Sequence, residues 1–278
     1  WSASSKLPAW DQRNIVTWDT GLSTPGAVTF TWSNISAGNR AALGAPASAQ
    51  LVDFLRGDRS NESSTTYRVR NGLLGDFINA NPVFVKDGVN QNYTNLPSIG
   101  ADYTAFLAQK AVRTGVLYIG GNDGMVHGFM DTKGVTPADD GKEIFAYVPR
   151  AIYQNLSKLA DPNYGTPLNY HQYFVDGPAR EFDAHVRAPG ASVASWRNYM
   201  VGTLGAGGKA IYAIDVTNPS NMNSSAVRWE LSSANDSDIG YVTSPVEVGV
   251  LPNGKWVAVF GNGYSENVLA KAYLFVVD

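Results

Sequence analysis

Residues Gly115–Met130 read GVLYIGGNDGMVHGFM. Val116, Tyr118 and Gly120 alternate with Leu117 and Ile119 in a run of β-formers, which is the period of a strand. Asn122-Asp123-Gly124 supplies a tight turn in which Gly124 can take the positive φ that a side chain penalises. Met125 to Phe129 then resume an apolar strand. A hairpin this apolar in both strands is expected to be buried on both faces, with sheets packed above and below it.

Outward from the hairpin the pattern repeats. Pro82–Val85 precedes it and Glu143–Val148 follows, completing a first round of strands. Tyr173–Val186, Tyr199–Thr203, Ala210–Val216 and Val227–Leu231 form a second round. Val246–Val250, Trp256–Phe260 and Ala272–Val277 form a third. NPVFV at Asn81–Val85 matches SPVEV at Ser244–Val248, and the second-to-third-strand turns are all glycine-rich: GGNDG, GTLGAGG and GNGYSEN. The expected turn residues are therefore Asn122, Asp123 and Gly124, then Gly205, Gly207 and Gly208, then Asn262 and Gly263. Four-stranded modules at this spacing predict an all-β fold, a β-propeller of four-stranded antiparallel blades with a few short helices in its insertions. A sandwich also has many short strands, but its repeats are less modular.

On this reading residues 76–278 make about three blades, the last cut short at three strands, so the propeller is incomplete. Residues 1–75 form an irregular segment. Strands are expected at Arg13–Asp19 and Val28–Ser33, and a helix at Ser48–Arg56 with Ser48 as N-cap and Gly57 as terminator. Asn61–Tyr67 reads as a polar loop. Too short to bury a core, the segment is expected to pack on or close the propeller. Two further helices are expected, one capped by Asp102 and running through Ala111, the other at Pro149–Leu159 with Ile152, Leu156 and Leu159 on one stripe.

Composition narrows the function. With 44% hydrophobic and 16% charged residues over 278, the chain describes a folded domain with a weakly charged surface. A net charge of −3 leaves no basic face for nucleic acid. The absence of cysteine excludes a disulfide scaffold, a thiol nucleophile and Cys-ligated zinc. No apolar run is long enough to span a membrane. The chain begins at Trp1 without a signal peptide and so reads as a mature or excised piece.

No catalytic or cofactor-binding set emerges. Only His127, His171 and His185 are present, and His127, inside an apolar strand, is expected to be a hydrogen-bonded core residue. No His-x-x-x-His pair suggests zinc and no Gly-x-Ser-x-Gly elbow suggests a hydrolase. Gly205–Gly208 lacks the Lys-Ser/Thr of a phosphate loop and leads into a strand, so a hairpin turn needing positive φ is expected. Asp139, Asp140, Asp236 and Asp238 are the weak metal candidates, but neither pair belongs to the alternating acidic run of a calcium loop, and solvated turns are expected. Asn-x-Ser/Thr triplets at Asn34, Asn61, Asn92, Asn155, Asn223 and Asn235 are expected by chance in a chain rich in these residues. Tyr93, Tyr103 and Phe106 in the insertion before the hairpin are read as exposed aromatics, expected to anchor a loop rather than to stack on a sugar or a partner.

Several motifs, taken in order, carry a resemblance. They are Phe54-Leu55-Arg56-Gly57-Asp58, Leu74-Gly75-Asp76-Phe77-Ile78-Asn79 leading into Pro82-Val83, and the stretch from Tyr118 to Phe129. Ala146-Tyr147-Val148-Pro149, Tyr173-Phe174-Val175-Asp176-Gly177, Gly205–Gly208 with Tyr212-Ala213-Ile214-Asp215-Val216-Thr217, and Gly261-Asn262-Gly263-Tyr264 complete the set. Together they resemble the C-terminal propeller domain of the PilC/PilY family of type IV pilus tip-associated adhesins. The resemblance implies a secreted, non-catalytic bacterial protein of the pilus tip, outer membrane surface or periplasm. It would serve pilus biogenesis, adhesion and twitching motility. Its implied partners are minor pilins or a pilus tip complex, and a host or abiotic surface. The family's calcium loop, which regulates pilus extension and retraction, is expected downstream of Asp278, so no cofactor is expected in this chain. A second resemblance competes: Tyr118–Gly124 (YIGGNDG) is similar to the repeat of pyrroloquinoline-quinone dehydrogenases, which are calcium-dependent propellers, but no Glu/Asn/Asp ligand set accompanies it. A lectin-like or purely structural propeller is the remaining alternative.

Overall fold

The computed structural model describes residues 2–44, 46–266 and 271–278. Its strands fall into three sheets joined in chain order. The first holds β1 (Ile15–Asp19), β2 (Gly26–Thr29), β3 (Val83–Val85), β4 (Gly115–Gly120), β5 (Val126–Asp131) and β6 (Glu143–Val148), in the order β2-β1-β6-β5-β4-β3. The second holds β7 (Ala179–Val186), β8 (Ser195–Thr203), β9 (Ala210–Asp215) and β10 (Val227–Ser232), and the third β11 (Glu247–Val250), β12 (Trp256–Gly261) and β13 (Leu274–Val277). Strands β3 to β6, β7 to β10 and β11 to β13 are antiparallel meanders. Strand β1 adds to the first sheet by parallel pairing with β6, Val16 opposite Tyr147, and β2 pairs back on β1.

Alternation along β9 shows how the sheets stack. Ala210, Tyr212 and Ile214 point into a core shared with the first sheet, while Ile211 and Ala213 point into a second core with Ala258 and Phe260 of the third. The second sheet is thus covered on both faces, which is why its strands read as almost uninterrupted apolar runs. The organising hairpin differs from expectation here. Val116 and Tyr118 are buried against the second sheet, but Leu117 and Ile119 on the other face are only half-buried. That second face carries His127, met edge-on by Phe77 with ring centres 6.4 Å apart. A connecting segment and polar groups cover it, not another sheet.

The first strands of the three sheets follow one another in space, β3 against β7 and β7 against β11. The N-terminal strands lie at the opposite edge of the first sheet, where β1 and β2 meet β10.

The helices are α1 (Ala37–Ala42), α2 (Ala49–Arg56), α3 (Gly100–Val112) and α4 (Tyr153–Leu156). On α2, the Ser48 hydroxyl accepts from Leu51 N at 3.1 Å, and Gly57 ends the helix at φ 124°. Two expectations need correcting. Asp102 lies in the first turn of α3, not at its cap, because the helix already begins at Gly100, packed so tightly on the Thr94 carbonyl that a Cβ would not fit. Pro149–Leu159 is not one helix but α4 between two 3₁₀ turns, with Pro149 extended at ψ 135° ahead of them. The Glu230 carboxylate takes the Arg150 and Ala151 N–H groups at 2.8 and 2.9 Å and fixes the chain in that tighter turn. Ile152, Leu156 and Leu159 are nevertheless all buried.

Candidate functional site

The glycine-rich turns form one repeated device. In each sheet, the segment entering the first strand folds over the turn between the second and third strands. Before β3, Gly75 N donates to Asp123 Oδ2 at 2.9 Å, and Asp76 O accepts from Asn122 N at 3.0 Å. Before β7, Asp176 N donates to Leu204 O at 3.3 Å, and Gly207 lies so close to the Phe174 carbonyl that a Cβ would collide with it. Before β11, Tyr241 and Tyr264 exchange N–H···O bonds of 2.8 and 3.0 Å, and Gly240 N donates to Asn262 O at 2.8 Å.

The clasps also interlock. Asn122 Oδ1 accepts from Phe174 N at 2.9 Å, and the Asp176 carboxylate accepts from Asn79 N and Nδ2 at 3.1 and 2.6 Å. The segment that closes the second clasp therefore holds the first as well.

The expected turn residues fall as follows. Gly124 has φ +92° and Gly263 φ +76°. In the middle turn only Gly205 is left-handed, at φ +55°, whereas Gly208 is extended at −178°. Gly207 is required by close approach, so the sequence reading assigned positive φ too widely there. Asn262 bridges to Tyr273 N at 3.1 Å. The last residue of the expected GNGYSEN turn, Asn267, lies outside the described residues.

Under the first clasp sits a buried charge network that the sequence did not reveal. His127 is fully buried, with Nδ1 2.8 Å from Glu143 Oε1 and Nε2 3.0 Å from Asp123 Oδ1. Arg13, just ahead of β1, pairs both oxygens of Glu143 at 2.6 and 2.7 Å and donates to Arg56 O at 2.6 Å. Burial alone would push the imidazole down, but Asp123 and Glu143 outweigh it and hold His127 up to about 9. Burial likewise works to raise Glu143, and hydrogen bonds from Arg13 and His127 win, lowering it to about 2. His127 is therefore a cation donating from both nitrogens at neutral pH. The one local signal was the Asp123…His127 spacing across the turn; the partners from Arg13 and Glu143 are set by topology.

A second network fixes the insertion on the second sheet. Lys110 Nζ lies 2.9 Å from both oxygens of the buried Asp183, which also accept from Tyr103 Oη and Asn198 Nδ2 at 2.7 Å each. Tyr103 and Phe106 are buried, 0% and 5% exposed, and Tyr93 is half-buried. All three belong to an aromatic cluster with Trp196 and Trp256, so they are not the exposed aromatics the sequence suggested.

The acidic candidates stay apart. Asp140 accepts from Thr132 N at 2.6 Å and Gly134 N at 3.1 Å inside its own turn. Asp236 accepts from Asp238 N at 2.9 Å on an exposed turn. Among the described residues no cluster of three or more His, Asp or Glu side chains is arranged for a metal. His171 lies outside both networks, its Nε2 2.9 Å from Asp76 Oδ1, and His185 packs edge-on against Trp196 at 5.4 Å. No helix among the described residues is long and apolar enough to cross a membrane.

Successive meander sheets, each with its entering segment clasped to a glycine-rich turn between its second and third strands, define an all-β repeat domain consistent with a β-propeller. Residues 74–278 match the family model described as the PilY1 beta-propeller domain, and the chain belongs to that family. The match begins at Leu74, where the first clasp begins.

Among curated relatives, the chain is 39% identical over 269 residues to a type IV pilus biogenesis factor PilY1 homolog of Xylella fastidiosa, covering 95% of this chain and 19% of that protein. It is 36% identical to the type IV pilus biogenesis factor PilY1 of Pseudomonas aeruginosa strain PAK, covering 100% of this chain and 23% of the relative. The chain thus spans less than a quarter of the length of these relatives. Among solved structures, the crystal structure of the Pseudomonas aeruginosa PilY1 C-terminal domain is similar with a TM-score of 0.51 and 32% identity, over 70% of this chain and 34% of that one.

Proposed function

We propose that this chain is the propeller part of a type IV pilus biogenesis factor and tip-associated adhesin. It supports pilus assembly, surface adhesion and twitching motility without catalysing a reaction. The observation that carries this reading is the coincidence of the family match, residues 74–278, with the three clasped sheets. In this reading the sheets are successive blades. Residues 76–278 supply about three of them, the third ending its sheet at the edge strand β13. Residues 1–75 pack on the first blade through β1. The neighbouring order of β3, β7 and β11 supports that arrangement, since the first strand of each blade lines a propeller axis. The buried cation and carboxylates serve as fasteners, each already paired, which supports a scaffold over an enzyme. The partners are minor pilins or the pilus tip complex, with a host or abiotic surface beyond. Calcium belongs to a loop outside these residues.

Deletion of the encoding gene, followed by counting sheared surface pili, tests the reading. We expect few or no pili, rescue by the intact gene, and no rescue by a copy lacking residues 74–278. Unchanged piliation in the deletion strain would overturn it.

A further inference from the structure

A cleft of about 950 Å³ opens between the first and second sheets, near the upper end of the roughly 300–1,000 Å³ typical of small-ligand sites. Trp18 comes from β1, Arg150 from the 3₁₀ turn ahead of α4, Asn155 from α4 itself, Lys209 from just before β9, and Tyr241 from the third clasp. The lining is mixed, polar with two aromatic rings, which does not suit a lipid chain.

The charges in its wall are not equally engaged. Glu230 is 6% exposed and accepts from the Tyr147 hydroxyl and from Arg150 N and Ala151 N, so its oxygens are committed to the chain turn beneath the cleft. Lys209 Nζ lies 3.2 Å from Glu266 and 5.0 Å from the centre of the Tyr241 ring. Arg150 is different. Its Nε donates to Asn39 Oδ1 at 2.7 Å and its guanidinium lies over Tyr153 at 5.3 Å, yet no carboxylate among the described residues forms a salt bridge with it. Its remaining N–H groups form a planar fork, the geometry that takes a carboxylate in two parallel bonds. Trp18 has no ring partner among the described residues, and an indole face accepts the C–H side of a flat, partly apolar ring. Asn155 adds an amide that can both donate to and accept from hydroxyls.

We propose that this cleft binds a saccharide bearing a carboxylate, the sugar ring on Trp18, the carboxylate on Arg150 and hydroxyls on Asn155. The inference deepens the adhesive part of the proposed function and rests on it. A uronic acid and a sialic acid share this chemistry and are separated by the test.

Calorimetric titration of the 278-residue chain with tetragalacturonate, sialyllactose, lactose and maltotetraose provides that test. At least one acidic sugar is expected to bind, with neutral sugars about tenfold weaker or more. Arg150→Gln should weaken the acidic sugar by about tenfold while leaving the thermal unfolding transition in place. Asn155→Ala serves as a second variant should Arg150→Gln unfold, and should weaken binding several-fold. Binding of only one acidic sugar assigns the source. No heat with any sugar, equal binding of neutral and acidic sugars, or acidic binding indifferent to both variants would overturn the site. Normal piliation alongside such a failure removes the site alone and leaves the biogenesis reading standing.

Discussion

Two carboxylates hold the ring of His127, and Arg13 shares one of them, so a proton at a single side chain joins the N-terminal strand to the organising hairpin. A raised pKa stabilises the fold fully below the group's unfolded value, near 6.5, and that stabilisation is lost as the pH climbs through the folded value of about 9. Glu143 works in the opposite direction: its contribution is present above 4.5 and disappears as the pH falls towards about 2. The network's contribution is therefore greatest between these limits, about pH 4.5 to 6.5. Denaturant unfolding across a pH series should show stability falling on the alkaline side, and His127→Gln should flatten that limb. An unaltered limb would mean that His127 is neutral in the folded state. Gly124 makes a separate residue-scale case. At φ +92°, with Leu156 Cδ2 2.7 Å from where a Cβ would stand, Gly124→Ala should cost about 1 kcal/mol or more in the same unfolding measurement.

At the scale of elements, the insertion carrying α3 depends on polar anchoring as much as on its aromatic cluster. Lys110 and Asp183 are 1% and 0% exposed in their side chains. Lys110→Met leaves the carboxylate buried without its cation and should cost about 3 kcal/mol or more, with faster amide exchange along α3 than in β4 or β5. Elements such as α2 and the hairpin were legible because their signals are local: Ser48 and Gly57 bracket one amphipathic stretch, and Asn122–Gly124 interrupt a period of two. The bounds of α3 and of the chain after Pro149 were not, since the Thr94 carbonyl fixes one and Glu230, 79 residues beyond Ala151, fixes the other. The charge network was hidden for the same reason. Arg13 and Glu143 are 130 residues apart, and no periodicity reports such a pair.

Across the whole molecule, the three rounds of strands were visible in the sequence because glycine recurs wherever a clasp presses backbone on backbone. What the clasps grip was not, because each grip is a contact between an entering segment and a turn well downstream. The acidic candidates lead to a whole-chain expectation. Asp140 and Asp236 already accept backbone N–H groups within their own turns, leaving too few oxygens on either turn to replace the hydration shell of calcium. Titration of the 278-residue chain with calcium should give no micromolar binding, and a saturable micromolar isotherm would show that one of these acidic turns holds the ion after all.

The parallel register of β1 on β6 carries a mechanical consequence. Tension applied to the chain ahead of β1 and resisted by the rest of the first sheet runs along the strand axis. It meets the backbone bond from Ala146 N to Asn14 O and the bond from the Thr17 hydroxyl to Val148 O side by side, because the backbone bonds between parallel strands are spread evenly along the pair and the hydroxyl adds one more tie across it. They are strained together in shear and cannot open one after another like a zipper. The bidentate grip of Arg13 on Glu143 sits at the end that takes up the load first. A segment that looks in sequence like an irregular leader is, under pull, the molecule's brace.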